Sequence, residues 1–298
     1  MPPIHEPIQT PANGVERLAS RSGWVQAGVL ALFLWYLYRD ILPPLVRDWS
    51  EDPNFSHGFL VPAFSAFLIW QGRKRLATIP VQPSWFGLAV IAGGLAMLIV
   101  GVLGVELFLS RSSLVVLLAG LVLFFQGWKM LRALLFPWGF LLLAIPIPAI
   151  LFNQITIPLQ FLASQLGSSV MELLGVPVLR QGNIIQLTSM VLEVAEACSG
   201  IRSLMSLAAV ALIYGYFLES RFLPRFLLAV SAVPIAVVAN GLRVAGTGIL
   251  GYYWNPAAAE GFFHTFSGWI VFVISLLMLF SLQALMHVSW KRGKRGSK

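Results

Sequence analysis

The chain has 298 residues, 58% of them hydrophobic and only 11% charged, with a mean hydropathy of +0.81. A soluble domain carries roughly a quarter charged residues, so this composition excludes a globular domain in water and predicts a polytopic membrane protein. The net charge of +8 does not point to nucleic acid, because the basic residues cluster near the ends of apolar segments, and the single cysteine excludes an intramolecular disulfide or a cysteine-cluster metal site.

A spanning helix needs about 20 mainly apolar residues. In chain order, the apolar runs predict spans over roughly Trp24–Leu42, Phe55–Trp70, Trp85–Gly104, Ser113–Trp128 and Ala133–Phe152. After a long interruption come Ser199–Leu218, Phe226–Val244 and Thr265–His287. The expected fold is an all-α polytopic membrane protein of about eight transmembrane helices. Its membrane domain covers 24–287, between an N-terminal tail over 1–23 and a basic C-terminal tail over 288–298. The second span is short and contains Pro62; the Gly-rich piece Ala245–Trp254 is too short to cross and either extends the seventh span or lies in the interface.

In the interruption, Leu159, Leu162, Leu166, Val170 and Leu173 share one helical face, with Ser164, Gln165, Ser168 and Ser169 largely opposite. This predicts an outward-facing amphipathic helix over Ile157–Leu174, lying in the interface. Val178–Val194 is rich in β-branched residues and carries a turn signal at Gln181-Gly182-Asn183, which predicts a short β-hairpin leading toward Cys198.

With the N-terminus inside, the 20 lysines and arginines divide unevenly. Cytoplasmic segments hold Arg17, Arg21, Arg73, Lys74, Arg75, Lys129, Arg132, Arg221, Arg225, Lys291, Arg292, Lys294, Arg295 and Lys298. The outer side holds Arg39, Arg47, Arg111, Arg180, Arg202 and Arg243. That bias orients both termini toward the cytoplasm. Residues 1–23 are polar and contain proline, and the run from Trp24 is too long for a signal-peptide core, so no cleavable signal is expected.

On this topology three reactive side chains reach the outer side from three helix ends. Cys198 opens the sixth span, Arg243 closes the seventh at Asn240-Gly241-Leu242-Arg243, and His264 precedes the eighth. A thiol at a helix start beside cations favours the thiolate, an imidazole moves protons near neutral pH, and a guanidinium can hold an oxyanion. Each residue alone has an ordinary explanation: a lone cysteine is more often a small core residue, an arginine near a span end can snorkel to headgroups, and an interfacial histidine can be idle. Their joint placement favours catalysis.

The run Glu196-Ala197-Cys198-Ser199-Gly200-Ile201-Arg202-Ser203, followed by Asn240-Gly241-Leu242-Arg243 and His264, resembles the exosortases, bacterial membrane transpeptidases related to the archaeosortases. Asn54-Phe55-Ser56-His57-Gly58-Phe59-Leu60-Val61-Pro62 and Ile145-Pro146-Ile147-Pro148 also look like family landmarks, so the resemblance runs from about Trp49 to the last span. It implies cysteine-dependent processing of exported proteins that carry a C-terminal sorting signal: a Pro-Glu-Pro-like motif, a transmembrane helix and a basic tail. It implies Cys198 as nucleophile, Arg243 as transition-state stabiliser and His264 as proton-transfer residue, at the outer face of a bacterial inner membrane. The extra C-terminal domain of some exosortases has no counterpart after the eighth span.

Four further residues are supporting candidates. Arg202, one turn from Cys198, either favours the thiolate or pairs with Glu196 or Glu193; Glu196 bonds the active-site cations or is an ordinary interfacial carboxylate. Asn240 orients a partner or caps a helix, and His57 is read as structural rather than catalytic. His5 and His287 fall on the cytoplasmic side. No metal and no cofactor is expected, since no carboxylate pair or His-Asp cluster has ligand spacing. The expected partners are sorting-signal proteins, membrane lipid and an acceptor nucleophile, not nucleic acid. Two rival functions stand beside this one: a non-catalytic membrane component of exopolysaccharide export, and a purely hydrolytic cysteine peptidase, which would share the thioester and differ only in resolving it with water.

Overall fold

The computed structural model describes residues 13–194, 200–219, 221–254 and 262–295, with side chains from position 25 onward and, in the last helix, over 266–287. Two compact units divide at Leu45 and Val46. The first contains α1 (Asn13–Tyr38) and the start of α2 (Leu42–Glu51). The second holds the rest of α2, then α3 (Leu60–Ala77), α4 (Phe86–Leu103), α5 (Leu107–Phe125), α6 (Trp128–Ala133), α7 (Leu135–Phe140), α8 (Ala149–Leu173), β1 (Val178–Gln181), β2 (Ile184–Leu187), β3 (Val191–Glu193), α9 (Ile201–Leu218), α10 (Phe222–Tyr253) and α11 (Phe262–Arg295). Among the described residues, five helices are long and apolar enough to cross a membrane, and up to seven segments are when each of two bent helix pairs counts as one. Over the expected second span the chain forms a 3₁₀ turn at Ser56–Phe59 followed by α3, which carries Arg73, Lys74 and Arg75 toward its end and is not one of those segments.

The two packing modes of the bundle follow from side-chain size. In α4 the buried glycines Gly87, Gly94 and Gly101 recur every seventh residue and lie directly against Phe124, Leu117 and Ser110 of α5. Without a hydrophobic drive between helices in lipid, such small residues let two backbones approach. The fourth span is this α5. It starts at Leu107, not Ser113, because Glu106 caps it by accepting from the Phe108 and Leu109 amides. Arg111 therefore lies on its second turn, buried, and ion-paired with Asp48 at 2.7 Å.

The expected fifth span is broken. Ile145-Pro146-Ile147-Pro148 turns the chain by 83° between Leu135–Ala144 and α8. A residue before proline is pushed from helical to extended backbone, and Ile145 has φ −95° and ψ 118°. Pro148 then starts α8, its carbonyl accepting from the Phe152 amide at 2.9 Å.

The helix expected over Ile157–Leu174 is the second half of this 25-residue helix, and the face it buries differs from the expectation. Leu159 is buried, but Leu162, Leu166 and Leu173 are exposed, while Ala163, Ser164, Gly167 and Ser168 are buried. Gly167 meets Val244, and Gly241 of α10 meets Leu166. The small face packs on a helix and the leucine face is left outward, as suits a lipid-exposed helix.

The expected hairpin forms, with Gly182 at φ +67° in its turn. A third strand extends it to an antiparallel meander in the order β1-β2-β3. Ile185, Leu187 and Val194 of this sheet pack with Met171, Val244 and Ala245. Ser164 Oγ donates to the Gly182 carbonyl at 2.9 Å, and the Val194 amide donates to Asn183 at 2.9 Å. The sheet thus sits beside the later turns of α10 and brings the chain to Val194, just before the start of α9. Ile201, Leu204 and Leu207 of α9, Leu228 and Ala232 of α10, and Leu279 of α11 form the central core.

Candidate active site

The start of α9 is fixed by backbone conformation. Gly200 is its N-cap, with φ +78° and ψ 2°, left-handed geometry that costs an L-residue about 1–2 kcal/mol. The Leu204 amide donates to the Gly200 carbonyl at 2.8 Å, and Ile201 beside it is buried in the core. Gly200 also lies flush against α10: a Cβ there would stand 3.0 Å from the Asn240 Cβ. Asn240 is itself buried, so the glycine meets both demands, left-handed backbone and close approach.

One turn further along α10, the Arg243 Nε donates to Ser267 Oγ of α11 at 3.1 Å. Gly268 faces the same guanidinium; a Cβ there would lie 3.8 Å from its Cζ. A cavity of about 360 Å³ opens here between α10 and α11, lined by Ala239, Arg243, Gly246, Phe266, Ile270 and Ile274 among others. Among the described residues the arginine is the only charged group lining it, and the surrounding apolar walls strengthen its attraction for an anion relative to water. Its carbonyl accepts from Thr247 Oγ1 at 2.9 Å.

These contacts join segments from three helices at one level: the start of α9, the middle of α10 and the early turns of α11. They are the same segments whose motifs carry the resemblance. The family model for transmembrane exosortases matches residues 49–281. This chain belongs to the transmembrane exosortase family. No curated protein and no solved structure matches it.

In this exosortase the expected site residues divide as follows. Asn240 and Arg243 come together with Gly200, Ser267 and Gly268. The backbone of His264 is in the first turn of α11, three and four positions before Ser267 and Gly268 and so on their helix face; its side chain lies outside the described residues. Cys198 and Glu196 also lie outside the described residues, two and four positions before Gly200 in the chain.

Arg202 is exposed on the first turn of α9 and makes no hydrogen bond or ion pair among the described residues. His57 is buried in the 3₁₀ turn, its Nε2 3.2 Å from the Leu143 carbonyl. The imidazole, tied to the Leu143 main-chain carbonyl, joins two turns.

Two features differ from the expectation. Arg243 does not close its helix: α10 runs unbroken through Ala245–Tyr253. Ser267 was not a candidate. Its only trace in the sequence is its helical spacing from His264, and that spacing does not reveal which residue on another helix it would meet.

Proposed function

We propose that this exosortase is a cysteine peptidase and transpeptidase that removes C-terminal sorting signals from exported proteins. The observation that carries the reading is the Arg243–Ser267 bond together with the Gly200–Asn240 contact, because the two join the three motif segments, and Arg243 lines an apolar cavity between α10 and α11. In the proposed reaction the Cys198 thiolate attacks the scissile carbonyl, and Arg243 donates to the oxyanion of the tetrahedral intermediate. The imidazolium of His264 gives its proton to the leaving amine, which departs with the transmembrane helix and basic tail. A thioester remains on Cys198. An acceptor amine resolves it by transfer, or water by hydrolysis, with His264 taking the incoming proton.

Ser267 is a positioning residue here: by accepting from Nε it holds the guanidinium plane. Both termini are proposed to be cytoplasmic and the site to face the periplasm. The hydrocarbon core takes about 20 residues of a helix, fewer than the 32 of α10, so the turns beside the sheet extend past it. The rival export role is not favoured, since a transport path calls for a chain of polar groups whereas, among the described residues, the cavity lining holds one cation in mainly apolar walls.

The test is processing of a co-expressed reporter bearing a Pro-Glu-Pro signal, a transmembrane helix and an Arg-rich tail, followed by mass spectrometry of the new C-terminus. Wild type is expected to release the tail, and Cys198→Ala is not. A covalently attached acceptor establishes transfer, whereas a free carboxylate establishes hydrolysis. Tail release by Cys198→Ala refutes the assignment.

A further inference from the structure

The end of the bundle remote from Gly200 has a second cavity, of about 580 Å³, between the α6–α7 segment and α9 and α10. The two ends of α9 are separated by its 18 residues, about 27 Å of helix. The cavity walls are mainly apolar and aromatic, with Phe136, Phe140, Leu212, Tyr216 and Phe226 among them. Phe136 and Tyr216 stack with centroids 4.1 Å apart and form one rigid side. Arg132 and Arg225 also line it.

A second, more open cavity of about 400 Å³ adjoins at Arg132 and Ala133 and adds Arg75 and Lys129. Among the described residues, neither lining contains an acidic one. Among the described residues, Arg75, Lys129 and Arg132 have no ion pair. Arg225 donates to the main-chain carbonyls of Glu219 and Tyr216, which leaves its charge uncompensated by those bonds. The Glu219 carboxylate accepts instead from Gln283 at 3.1 Å. Exposed Trp85 and Trp128 stand beside this end, at the starts of α4 and α6. Such exposed tryptophans favour the headgroup level of a bilayer.

An apolar cavity continuous with an unpaired basic rim at headgroup depth fits one chemistry. We infer that this end of the bundle binds an anionic phospholipid, with an acyl chain in the Phe136–Tyr216 cavity and the phosphate on Lys129 and Arg132. A free anion would use the rim alone, and a zwitterionic lipid would use the cavity without the full charge match. Basic pockets between membrane helices bind acidic headgroups in this way.

The test is native mass spectrometry of the full chain from micelles holding equimolar phosphatidylglycerol and phosphatidylcholine of matched acyl chains, with inorganic phosphate as a third arm. Phosphatidylglycerol is expected to be retained over phosphatidylcholine, and phosphate not to displace it. Each basic residue contributes about fivefold, so the Lys129→Gln/Arg132→Gln double variant loses phosphatidylglycerol about thirtyfold. Gly139 lines the cavity, and a Cβ there meets nothing within 4 Å. Gly139→Leu therefore fills the acyl-chain space with every cation in place, and it decides the matter if the double variant fails to accumulate. Equal retention of the two lipids overturns the inference, as does displacement by phosphate alone. Wild-type retention by either variant overturns it too.

Discussion

Replacing Arg243 with lysine separates charge from geometry at the proposed oxyanion site. The arginine spends its Nε on Ser267 Oγ, 3.1 Å away, and its planar fork then presents two further nitrogens at a fixed angle. Lysine keeps a positive charge at the same turn of α10 but has neither the Nε tether nor the paired donors. Loss of one oxyanion donor costs about 10²–10³ in rate, or roughly 2.7–4 kcal/mol, and Arg243→Lys should fall in that range. Ser267→Ala removes only the tether, a hydrogen bond to a charged group worth about 1.5–3 kcal/mol. It should slow processing between about tenfold and a hundredfold while the Arg243 terminal nitrogens still act. Because the lysine variant has no Nε for Ser267 to hold, the double variant should be no slower than Arg243→Lys alone. The assay is the initial rate of tail release from the reporter, normalised to exosortase in the membrane. Near wild-type rate in Arg243→Lys would refute the argument and return the residue to a headgroup contact. Strictly additive losses in the double variant would refute the tether.

Cys198→Ser, Cys198→Ala and His264→Ala should each abolish processing at normal membrane levels, since a serine hydroxyl is far less ionised than a thiol; processing by Cys198→Ser at wild-type rate counts against a thiolate nucleophile. Gly200→Ala should lower thermal stability by about 1–2 kcal/mol from its left-handed backbone, with a further loss because Asn240 must shift, and unchanged melting and processing would contradict the packing described. Reporter fusions after Arg75 and Lys298 should read cytoplasmic and one after Glu193 periplasmic; a cytoplasmic Glu193 removes the proposed site from the outer face.

Much of this protein is written in composition and spacing. Apolar runs bounded by charged and turn residues locate helices because burial in lipid requires both a length and a lack of charge. The Gln181-Gly182-Asn183 turn predicts its hairpin because left-handed backbone at that position calls for glycine. The family is equally legible, in the Cys-Ser-Gly, Asn-Gly-Leu-Arg and histidine segments. Tertiary structure decided the features that depend on a partner helix. Hydropathy cannot say that α8 buries Ser164, Gly167 and Ser168 and turns Leu162, Leu166 and Leu173 outward, since in a membrane the apolar face has no reason to seek the core. It also left open whether Ala245–Trp254 extends the seventh span, and in the fold α10 continues through it to Tyr253 beside the sheet. The Arg243–Ser267 bond and the Gly200–Asn240 contact join residues 24 and 40 positions apart. No local pattern encodes such a meeting, because helix packing alone sets which side chains face one another across it.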